Sequence, residues 1–284
     1  MKLISWNIQW CRGADGKVDP ARIVGAARDF ADFDVLCLQE VARNFPGLAG
    51  SAGEDQYRVL AALLPGYSFI EGVATDVLAP DGTRRAFGNA IASRLPVLQV
   101  FRHLLPWPAD DSVPSMQRSA LEVMLQTRTG PIRVTTTHLE YYSSAQRAAQ
   151  VERLRDLQEK AARRAHHPPR AEKEGGPFAR TPQSASAILT GDFNLRPEDP
   201  LHARLQAQIA GGVPPYRDAW QVRRSGTKHP PTLGVFDREQ WPEPPFCCDF
   251  VFVTEDLAPR IEDVVVNGAT DASDHQPVLL VLAD

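Results

Sequence analysis

The feature that most constrains the fold of this 284-residue chain is a series of short apolar segments, each of strand length and each followed by turn residues. Segments with helical periodicity lie between some of them. The strand segments include SWNIQW, VLCLQEV, TTTHLE, AILTGDFN, CCDFVFVT and SDHQPVLLVLA, and the helical segments include ARIVGAARDF and SSAQRAAQVERLRDLQEKAARRA. Because strands and helices alternate along the chain and no linker divides it, we expect one α/β domain over residues 1–284.

The segment AILTGDFNLRP, residues 187–197, contains one of these strand ends. Residues two apart on a strand project to the same face, so Asp192 and Asn194 would point one way and Phe193 into the packing on the other side. One interpretation is an Asx-type turn that caps the strand. The other is a polar site presented at a strand end. The segment alone favours neither.

Polar residues stand at the ends of other apolar strands in the same way. Each has an ordinary explanation by itself, such as a turn, a salt bridge or a core histidine with one hydrogen bond. Together they form a coherent set of carboxylates, carboxamides and histidines, of the kind that a rigid scaffold presents for catalysis. The set comprises Asn7, Glu40, His138, Asp192, Asn194, Asp249, Asp274 and His275. Its lack of thiolates favours Mg²⁺ or Mn²⁺ over zinc.

Composition narrows the class of protein. The formal net charge of −4 weighs mildly against tight nonspecific binding to nucleic acid. Neither a membrane helix nor a signal peptide is predicted, so we expect a cytoplasmic protein. The four cysteines lack metal-binding spacing and are expected to be buried, reduced thiols. Residues 166–184, rich in Pro, Gly and charge, predict an irregular surface loop in which His166 and His167 are solvated.

Six motifs, SWNIQW, LQEV, TTTHLE, GDFN, DFVFV and SDHQPV, resemble in this order those of the endonuclease/exonuclease/phosphatase family, the deoxyribonuclease I-like superfamily. The resemblance extends from Asn7 to His275, nearly the whole chain. It implies a four-layer α/β sandwich, in which two mixed β-sheets pack face to face with helices outside. It also implies an enzyme that hydrolyses a phosphate ester with a metal ion and an attacking water.

The same resemblance implies roles for the polar set. Glu40 would be the principal ligand of Mg²⁺ or Mn²⁺, with Asn7 nearby as a ligand through water or a contact to phosphate. Asp274 would complete the acidic cluster around the cation. Asp192 would orient or deprotonate the attacking water, and Asn194 would hold a phosphate oxygen.

Two histidines are implied in proton transfer and phosphate binding. His275 would contact the scissile phosphate while Asp249 orients its ring, and His138 would donate to the phosphate or the leaving oxygen. Whether Asp192 or the Asp249–His275 pair is the base stays open.

Three further residues are implied in substrate binding, namely Asn89, Arg118 and Tyr141. Arg118 matches a phosphate-contacting arginine of several family members, but an exposed strand charge explains it almost as well. Asn89 is a candidate of the same kind. Tyr141 and the loop at residues 230–246 would border the substrate cleft.

The substrate itself is left open by the sequence. A phosphodiester in nucleic acid, in a nucleotide or in a phospholipid headgroup is favoured. A phosphomonoester resembling inositol phosphate is the alternative, and a non-catalytic scaffold that kept the fold is a third reading. Repair nucleases of the family typically carry a Lys two residues after the strand-end Glu and a Tyr at the position of His138, so QEVAR and THLE argue against a repair role. We expect a monomer.

Overall fold

The computed structural model describes residues 1–170 and 175–283, and within these residues twelve strands alternate with five α-helices. The strands are β1 (Lys2–Asn7), β2 (Val35–Arg43), β3 (Ser68–Leu78), β4 (Arg84–Ser93), β5 (Val97–Leu104), β6 (Ser119–Thr127), β7 (Gly130–His138), β8 (Ala187–Asp192), β9 (Tyr216–Asp218), β10 (Asp249–Thr254), β11 (Ile261–Val266) and β12 (Val278–Leu282). The helices are α1 (Pro20–Phe30), α2 (Gln56–Leu63), α3 (Ser144–His166), α4 (Pro200–Gln206) and α5 (Ala219–Arg223).

These strands form two six-stranded sheets. The first has the order β11-β12-β1-β2-β4-β3 and the second β5-β6-β7-β8-β10-β9. Each sheet contains one central parallel pair, β1 with β2 and β7 with β8, and its other neighbours are antiparallel. Both sheets are therefore mixed, as predicted.

Three apolar clusters hold four layers together. The first lies between the sheets and joins residues such as Val35 and Ile91 of one to Val123 and Ile188 of the other. A second packs α1 and α2 on the outer face of the first sheet. A third packs α3 and α4 on the outer face of the second sheet. The predicted four-layer sandwich is thus confirmed, and its stability rests on apolar surface removed from water at three interfaces.

The helices begin where local chemistry dictates. Asp19 caps α1 by accepting hydrogen bonds from two backbone N–H groups, and Pro20 occupies the first helical position. At α4, Asp199 accepts from one backbone N–H group, that of Leu201, and Pro200 occupies the first helical position. The sequence predicts a helix over residues 143–165, and α3 lies one residue further along, at Ser144–His166. None of the helices among the described residues is long and apolar enough to cross a membrane.

The predicted loop at residues 166–184 corresponds only in part to its prediction. Its first residue, His166, is the last residue of α3, and residues 175–184 form turns and irregular structure. Residues 171–174 lie outside the part of the chain that the structure describes.

The two central parallel pairs determine where functional groups gather. In each pair the carboxyl ends of the strands point to the same edge of the sheet. Because β1 and β2 lie over β7 and β8 across the sandwich, the two edges face each other. Side chains at these strand ends therefore converge, as they do at the switch points of other α/β sheets.

Candidate active site

Four of the predicted residues meet where the two parallel pairs end. The Asn7 Nδ2 atom donates to Glu40 Oε1 at 3.0 Å and to Asp192 Oδ2 at 2.9 Å. The His138 Nε2 atom lies 3.4 Å from the same Asp192 oxygen. Asn7, His138 and Asp192 are the last residues of their strands, and all three are buried. The site thus spans both sheets, with the Asp192 carboxylate at its centre.

Glu40 does not lie at a strand end, and that part of its prediction is wrong. It lies within β2, at a bulge where the pairing with β4 shifts register between Leu38 and Val41. Its backbone has a φ of 61°, in the left-handed region that non-glycine residues rarely adopt. The bulge aims the Glu40 side chain into the site, and such strain commonly marks functional positions.

The GDFN motif combines the two interpretations left open by the sequence. The Asp192 Oδ1 atom accepts a hydrogen bond from the backbone N–H of Asn194 at 2.9 Å, which is an Asx turn. Asn194 has a φ of 50°, so the turn and not a continuing strand places it beside Asp192. Phe193 is fully buried against Phe250 and Phe252, which anchors the motif in the core.

His138 is held in its neutral form. The Asn194 amide nitrogen donates to Leu139 O at 2.9 Å and faces the His138 Nε2 atom at 3.0 Å, so Nε2 acts as the acceptor. The proton then resides on Nδ1, which lies 3.9 Å from Glu40 Oε1. Burial, with added repulsion from Arg118, keeps the pKa of His138 well below its usual range.

His275 has the opposite environment. Its Nδ1 atom lies 2.9 Å from Asp249 Oδ2, and its Nε2 atom lies 3.7 Å from Asp192 Oδ2. Burial opposes its charged form, but the carboxylates of Asp249, Asp274 and Asp192 outweigh that effect and hold the pKa of His275 well above its usual range. The two histidines of the site therefore differ in charge near neutral pH.

A buried threonine fixes the Asp249–His275 pair. The Thr232 hydroxyl donates to Asp249 Oδ2 at 2.6 Å and accepts from the backbone N–H groups of Cys248 and Asp249, each at 3.1 Å. Thr232 has no exposed surface. Its hydroxyl has a single good donor direction, which the carboxylate occupies, so Thr232 sets the orientation of the Asp249 oxygen that His275 contacts.

Replacing Thr232 by Val is expected to lower kcat about tenfold, because the carboxylate that orients His275 loses its donor. The change should also reduce the free energy of unfolding by about 1–2 kcal/mol, because two backbone N–H groups lose their acceptor. A kcat-against-pH profile and urea unfolding would measure both effects. Thr232→Ser, which keeps the hydroxyl, should restore most of the activity. A Val variant with kcat within twofold of the wild type would contradict the assigned positioning role.

The carboxylates of the site repel one another. Burial and then the charge of Asp274 raise the pKa of Glu40 to about 7, although Asn7 partly offsets them. Burial likewise raises the pKa of Asp192 to about 6, with Asp249 adding to the effect and His275 opposing it. Such a concentration of negative charge is the environment that a bound cation relieves.

The structure groups Glu40 with other possible metal ligands, but it does not place Asp274 in such a group with any of the residues that it describes. The donor atoms of Glu40, His138 and Asp192 all lie within 4.8 Å of one another, so they are placed to share one ion. Among the described residues, Asp274 belongs to no such group of three. Its Oδ2 atom instead accepts from the Trp241 indole N–H at 2.9 Å, and its Oδ1 atom lies 3.2 Å from the Ser273 Oγ atom.

A thiol also lies within the site. The Cys248 Sγ atom lies 3.4 Å from Asp249 Oδ2 and 4.0 Å from His275 Nδ1. Burial, followed by the negative charge of Asp249, raises the pKa of this thiol well above its usual range, so it is protonated. All four cysteines are buried and free, as predicted.

Arg118 and Asn89 lie on the other side of His138, where all three line a small cavity of about 10 Å³. The Arg118 Nε atom donates to Glu140 Oε2 at 3.2 Å, so Arg118 is a buried, ion-paired residue and not an exposed strand charge. The Asn89 amide donates to Ser119 O at 3.0 Å. One guanidinium nitrogen of Arg118 and the amide oxygen of Asn89 are buried without a partner among the described residues, which leaves them available to a ligand.

Tyr141 lies apart from these catalytic groups, in the wall of an open cleft of about 700 Å³. The side chain is exposed, and its ring centroid lies 6.2 Å from that of Trp241. This aromatic cleft is lined in part by Tyr141, Asn194, Arg196, Trp241, Glu243 and Phe246. Residues from the predicted loop at 230–246 thus border it.

Sequence reasoning did not assign Thr232, Ser273 or a role of Trp241 at Asp274. Ser273 is the first residue of the SDHQPV motif, and its hydroxyl donates to Asn7 O at 2.8 Å, which joins the segment before β12 to the end of β1. For Ser273, membership of that motif was the signal in the sequence that could have identified it. For Thr232 and Trp241 no local signal existed, because both lie in an irregular, proline-rich segment.

Comparison with known proteins gives one family. A sequence model described as the Endonuclease/Exonuclease/phosphatase family matches residues 4–275. Among curated proteins, no significant sequence match is found.

Solved structures share the fold at low sequence identity. A mannosyl-6-phosphatase of Bacteroides thetaiotaomicron VPI-5482 has a TM-score of 0.67 and 18% identity, with 100% of both chains covered. TDP2 of D. rerio in complex with a single-strand DNA product has a TM-score of 0.62 and 20% identity, over 99% of this chain and 97% of that one. The human Nocturnin catalytic domain with bound sulfate has a TM-score of 0.59 and 16% identity, over 99% and 92%. At these sequence identities, the similarity is evidence for a shared fold and not for a shared substrate.

Proposed function

Since the chain belongs to the endonuclease/exonuclease/phosphatase family, and is therefore a hydrolase of phosphate esters, we propose that it cleaves a phosphodiester with the help of a divalent metal ion and an activated water. The observation that carries this proposal is the convergence of Asn7, Glu40, His138 and Asp192 where the two sheets meet. The family resemblance implies that these residues act together. The distances of 2.9 to 3.4 Å that link them support this.

The residues present fit a hard divalent cation such as Mg²⁺ or Mn²⁺. Carboxylate oxygens dominate the site, and burial followed by the charge of Asp274 raises the pKa of Glu40. Glu40 would hold the ion, with Asp192 close enough to share it and Asp274 adding negative charge. The ion would polarise the phosphoryl oxygens and neutralise the charge that develops on them.

The chain's own groups would divide the remaining work. Asp192 would accept the proton of the attacking water, because its Oδ2 atom is central and His275 is held in its charged form. His275 would then donate to a phosphoryl oxygen through Nε2, while Asp249 keeps its ring fixed through Nδ1. The side-chain amide of Asn7 and the backbone N–H of Asn194 each donate to Asp192 and would hold its carboxylate towards the water. The Asn194 side chain, beside His138, would contact the phosphate.

Charge favours a diester over a monoester. With the carboxylates ionised, His275 protonated and one divalent ion bound, the site carries about one net negative charge, if the buried Arg118–Glu140 pair is taken as neutral. The carboxylates in this count are Glu40, Asp192, Asp249 and Asp274. A phosphodiester adds one negative charge at neutral pH, whereas a phosphomonoester adds nearly two. A phosphomonoesterase is the alternative function.

Hydrolysis of bis-(p-nitrophenyl) phosphate and of p-nitrophenyl phosphate, each with Mg²⁺, Mn²⁺ or EDTA, would test this function. We expect the diester to be cleaved only with metal, and the Glu40→Ala variant to be inactive. Cleavage of the monoester alone would replace the diester by the alternative. Equal rates in EDTA would exclude the metal, and the absence of hydrolysis by pure, folded protein on both esters and on a nucleotide diester would favour the scaffold reading.

The single domain over residues 1–284 and the monomeric state stay predictions. Support for one domain comes from the core between the sheets, which draws on strands from the first to the last in the chain. Sedimentation velocity of the intact protein would check the monomer.

A further inference from the structure

The aromatic cleft opens directly beside the reaction centre. Asn194 lines it at the end of the GDFN motif, and Trp241 lines it next to Asp274. An ester group attached to a phosphate in the site would extend into this space. On the opposite side, the cavity beside His138 measures about 10 Å³, which is room for about one water molecule. The non-phosphate part of a substrate would therefore be bound in the aromatic cleft and not beside His138.

Trp241 is fixed in place before any substrate binds. Its indole N–H donates to Asp274 Oδ2 at 2.9 Å, and the ring of Tyr141 packs edge-on at a centroid distance of 6.2 Å. Gly234 has a φ of 72°, and a Cβ atom there would lie only 3.0 Å from the Trp241 Cβ atom, so a glycine permits this close approach. A rigid indole in a cleft wall offers a large apolar face at little entropic cost.

The charges in the cleft do not suit a polyanion. The Arg147 Nη1 atom donates to the carbonyl oxygens of Glu140 and Tyr141, and its Nε atom is buried without a partner among the described residues. Arg196 lies 4.2 Å from the centroid of the Phe246 ring and 3.8 Å from Glu243. Two further carboxylates in the wall belong to Glu198 and Asp199. Three carboxylates against two guanidinium groups leave the wall with about one net negative charge, which would repel a strand that carries several phosphates.

We propose that the aromatic cleft binds one uncharged ring of a substrate that carries a single phosphate, with Trp241 as the residue that selects it. This inference rests on the proposed function, and it narrows the substrate to compact phosphodiesters of a ring-bearing alcohol. A nucleoside and a hexose both have this chemistry. Trp241 would at the same time be a positioning residue for Asp274, so that one side chain links the bound ring to the acidic cluster.

Hydrolysis of four phosphodiesters with Mg²⁺ would test the proposal. The probes are methyl p-nitrophenyl phosphate, thymidine 5′-(p-nitrophenyl phosphate), methyl glucoside 6-(p-nitrophenyl phosphate) and a ten-nucleotide thymidine oligomer that ends in a 5′-(p-nitrophenyl phosphate), so that all four share one leaving group. We expect kcat/KM for at least one ring ester to exceed that for the methyl ester about tenfold or more. The oligomer should be the poorest substrate. Comparing kcat/KM for the two ring esters shows whether the cleft prefers a nucleoside or a hexose.

The outcomes separate the two hypotheses. If no probe is hydrolysed in a metal-dependent way, the proposed function fails. If the methyl ester is hydrolysed as well as both ring esters, or the oligomer as well as the better of them, the proposed function stands and the role of the cleft is overturned.

Two Trp241 variants distinguish ring binding from the positioning of Asp274. Trp241→Phe keeps an aromatic face but loses the N–H, so we expect lower kcat on every probe with the ring preference retained. Trp241→Ala should lose the preference as well. Because the preference is a ratio between two substrates, any effect through Asp274 cancels. A preference that survives in Trp241→Ala would overturn the selecting role.

Binding can also be measured without catalysis. In a ¹H–¹⁵N spectrum of the metal-free protein, the indole N–H signal missing from Trp241→Phe identifies Trp241. Titration with thymidine or with methyl glucoside should shift this signal, while the other tryptophan indole signals stay in place. No shift with either compound at concentrations up to tens of millimolar would count against a ring site, whatever the hydrolysis assays show.

Charge reversal provides a gain-of-function test. Glu243→Lys should raise kcat/KM for the oligomer about tenfold and make it fall more steeply with salt, because a repelling carboxylate becomes an attracting ammonium. Asp29→Lys makes the same change on an exposed position of α1, outside the cleft. If both variants raise the oligomer rate equally, net charge and not the cleft excludes polyanions.

Discussion

Replacing Asp192 by Asn is expected to lower kcat by about 10²–10⁴-fold, the range for removing a positioned acid or base. Asn has nearly the same shape, so packing should survive while the acceptor for the water's proton is lost. The Asp192 Oδ2 atom accepts from Asn7 at 2.9 Å and lies 3.4 Å from His138 Nε2 and 3.7 Å from His275 Nε2. A neutral amide at this position cannot take up a proton.

The pH profile should identify Asp192 more sharply than kcat alone. Burial and the charge of Asp249 raise the pKa of Asp192 to about 6 in the metal-free site, and a bound cation would lower it. Because the base acts when ionised, wild-type kcat should rise with pH through a limb at or below about pH 6. In Asp192→Asn that limb should vanish from the residual activity.

Steady-state kinetics with bis-(p-nitrophenyl) phosphate and Mg²⁺ from pH 4.5 to 9 would measure both effects. Circular dichroism and thermal melting would establish that the variant is folded. Asp29→Asn provides a matched control, since it makes the same substitution at an exposed position of α1 outside the cleft. Residual activity within tenfold of the wild type, with the acid limb intact, would exclude Asp192 as the base and favour the Asp249–His275 pair.

The parts of this site that the sequence predicted are those encoded locally. GDFN carries its own turn, because the Asp192 side chain binds the backbone of Asn194 two residues later. His138 and Asn7 end strands whose apolar alternation is visible in the sequence. For such residues, secondary structure and position in the chain suffice to predict where they lie.

Residues that depend on distant partners were mispredicted or missed. Glu40 was expected at a strand end, but the register shift between β2 and β4 that creates its bulge involves residues about fifty positions later in the chain. Thr232 and Trp241 reach Asp249 and Asp274 from an irregular segment, at separations of 17 and 33 residues. Neither periodicity nor composition specifies such contacts, because they arise only after the two sheets have packed.

The fold also has features that the sequence predicted and features that it did not. Helical periodicity predicted α3 to within one residue at each end, although its sequence is strongly polar. It did not predict why this helix buries glutamines. Gln150 accepts from the backbone N–H of Glu140 at 2.8 Å, and Gln158 donates to the carbonyl oxygens of Ala185 and Pro214, each at 3.0 Å. These side chains satisfy loop backbone groups that only the assembled layers bring within reach.

Replacing Glu40 by Gln is expected to abolish metal-dependent hydrolysis and, in EDTA, to make the protein more stable. Loss of the ion should lower the rate by at least about 10³-fold, since a metal supplies several kcal/mol of transition-state stabilisation. The gain in stability follows from the pKa of Glu40, which burial and the charge of Asp274 raise from 4.5 to about 7. A shift of this size corresponds to about 3 kcal/mol.

How Glu40 affects stability at each pH depends on its pKa, which is higher in the folded chain than in the unfolded chain. The unfolded chain loses the Glu40 proton near pH 4.5, whereas the folded chain holds it until about pH 7. The carboxyl group therefore destabilises the fold progressively as pH rises from 4.5 to 7, and fully above pH 7. Glu40→Gln, which has no proton to lose, should match the wild type near pH 4.5 and melt several degrees higher at pH 8 in EDTA.

Adding Mg²⁺ or Mn²⁺ should reverse that order. The wild type gains stability because the ion binds the folded state, and Glu40→Gln, lacking the principal ligand, should gain little. Thermal melting at pH 8, with EDTA or with millimolar metal, measures this crossover. Glu262→Gln makes the same substitution at an exposed position of β11 and should behave as the wild type does. If metal stabilises Glu40→Gln as much as the wild type, the cation binds elsewhere, and the carboxylates that meet between the sheets have another counterion.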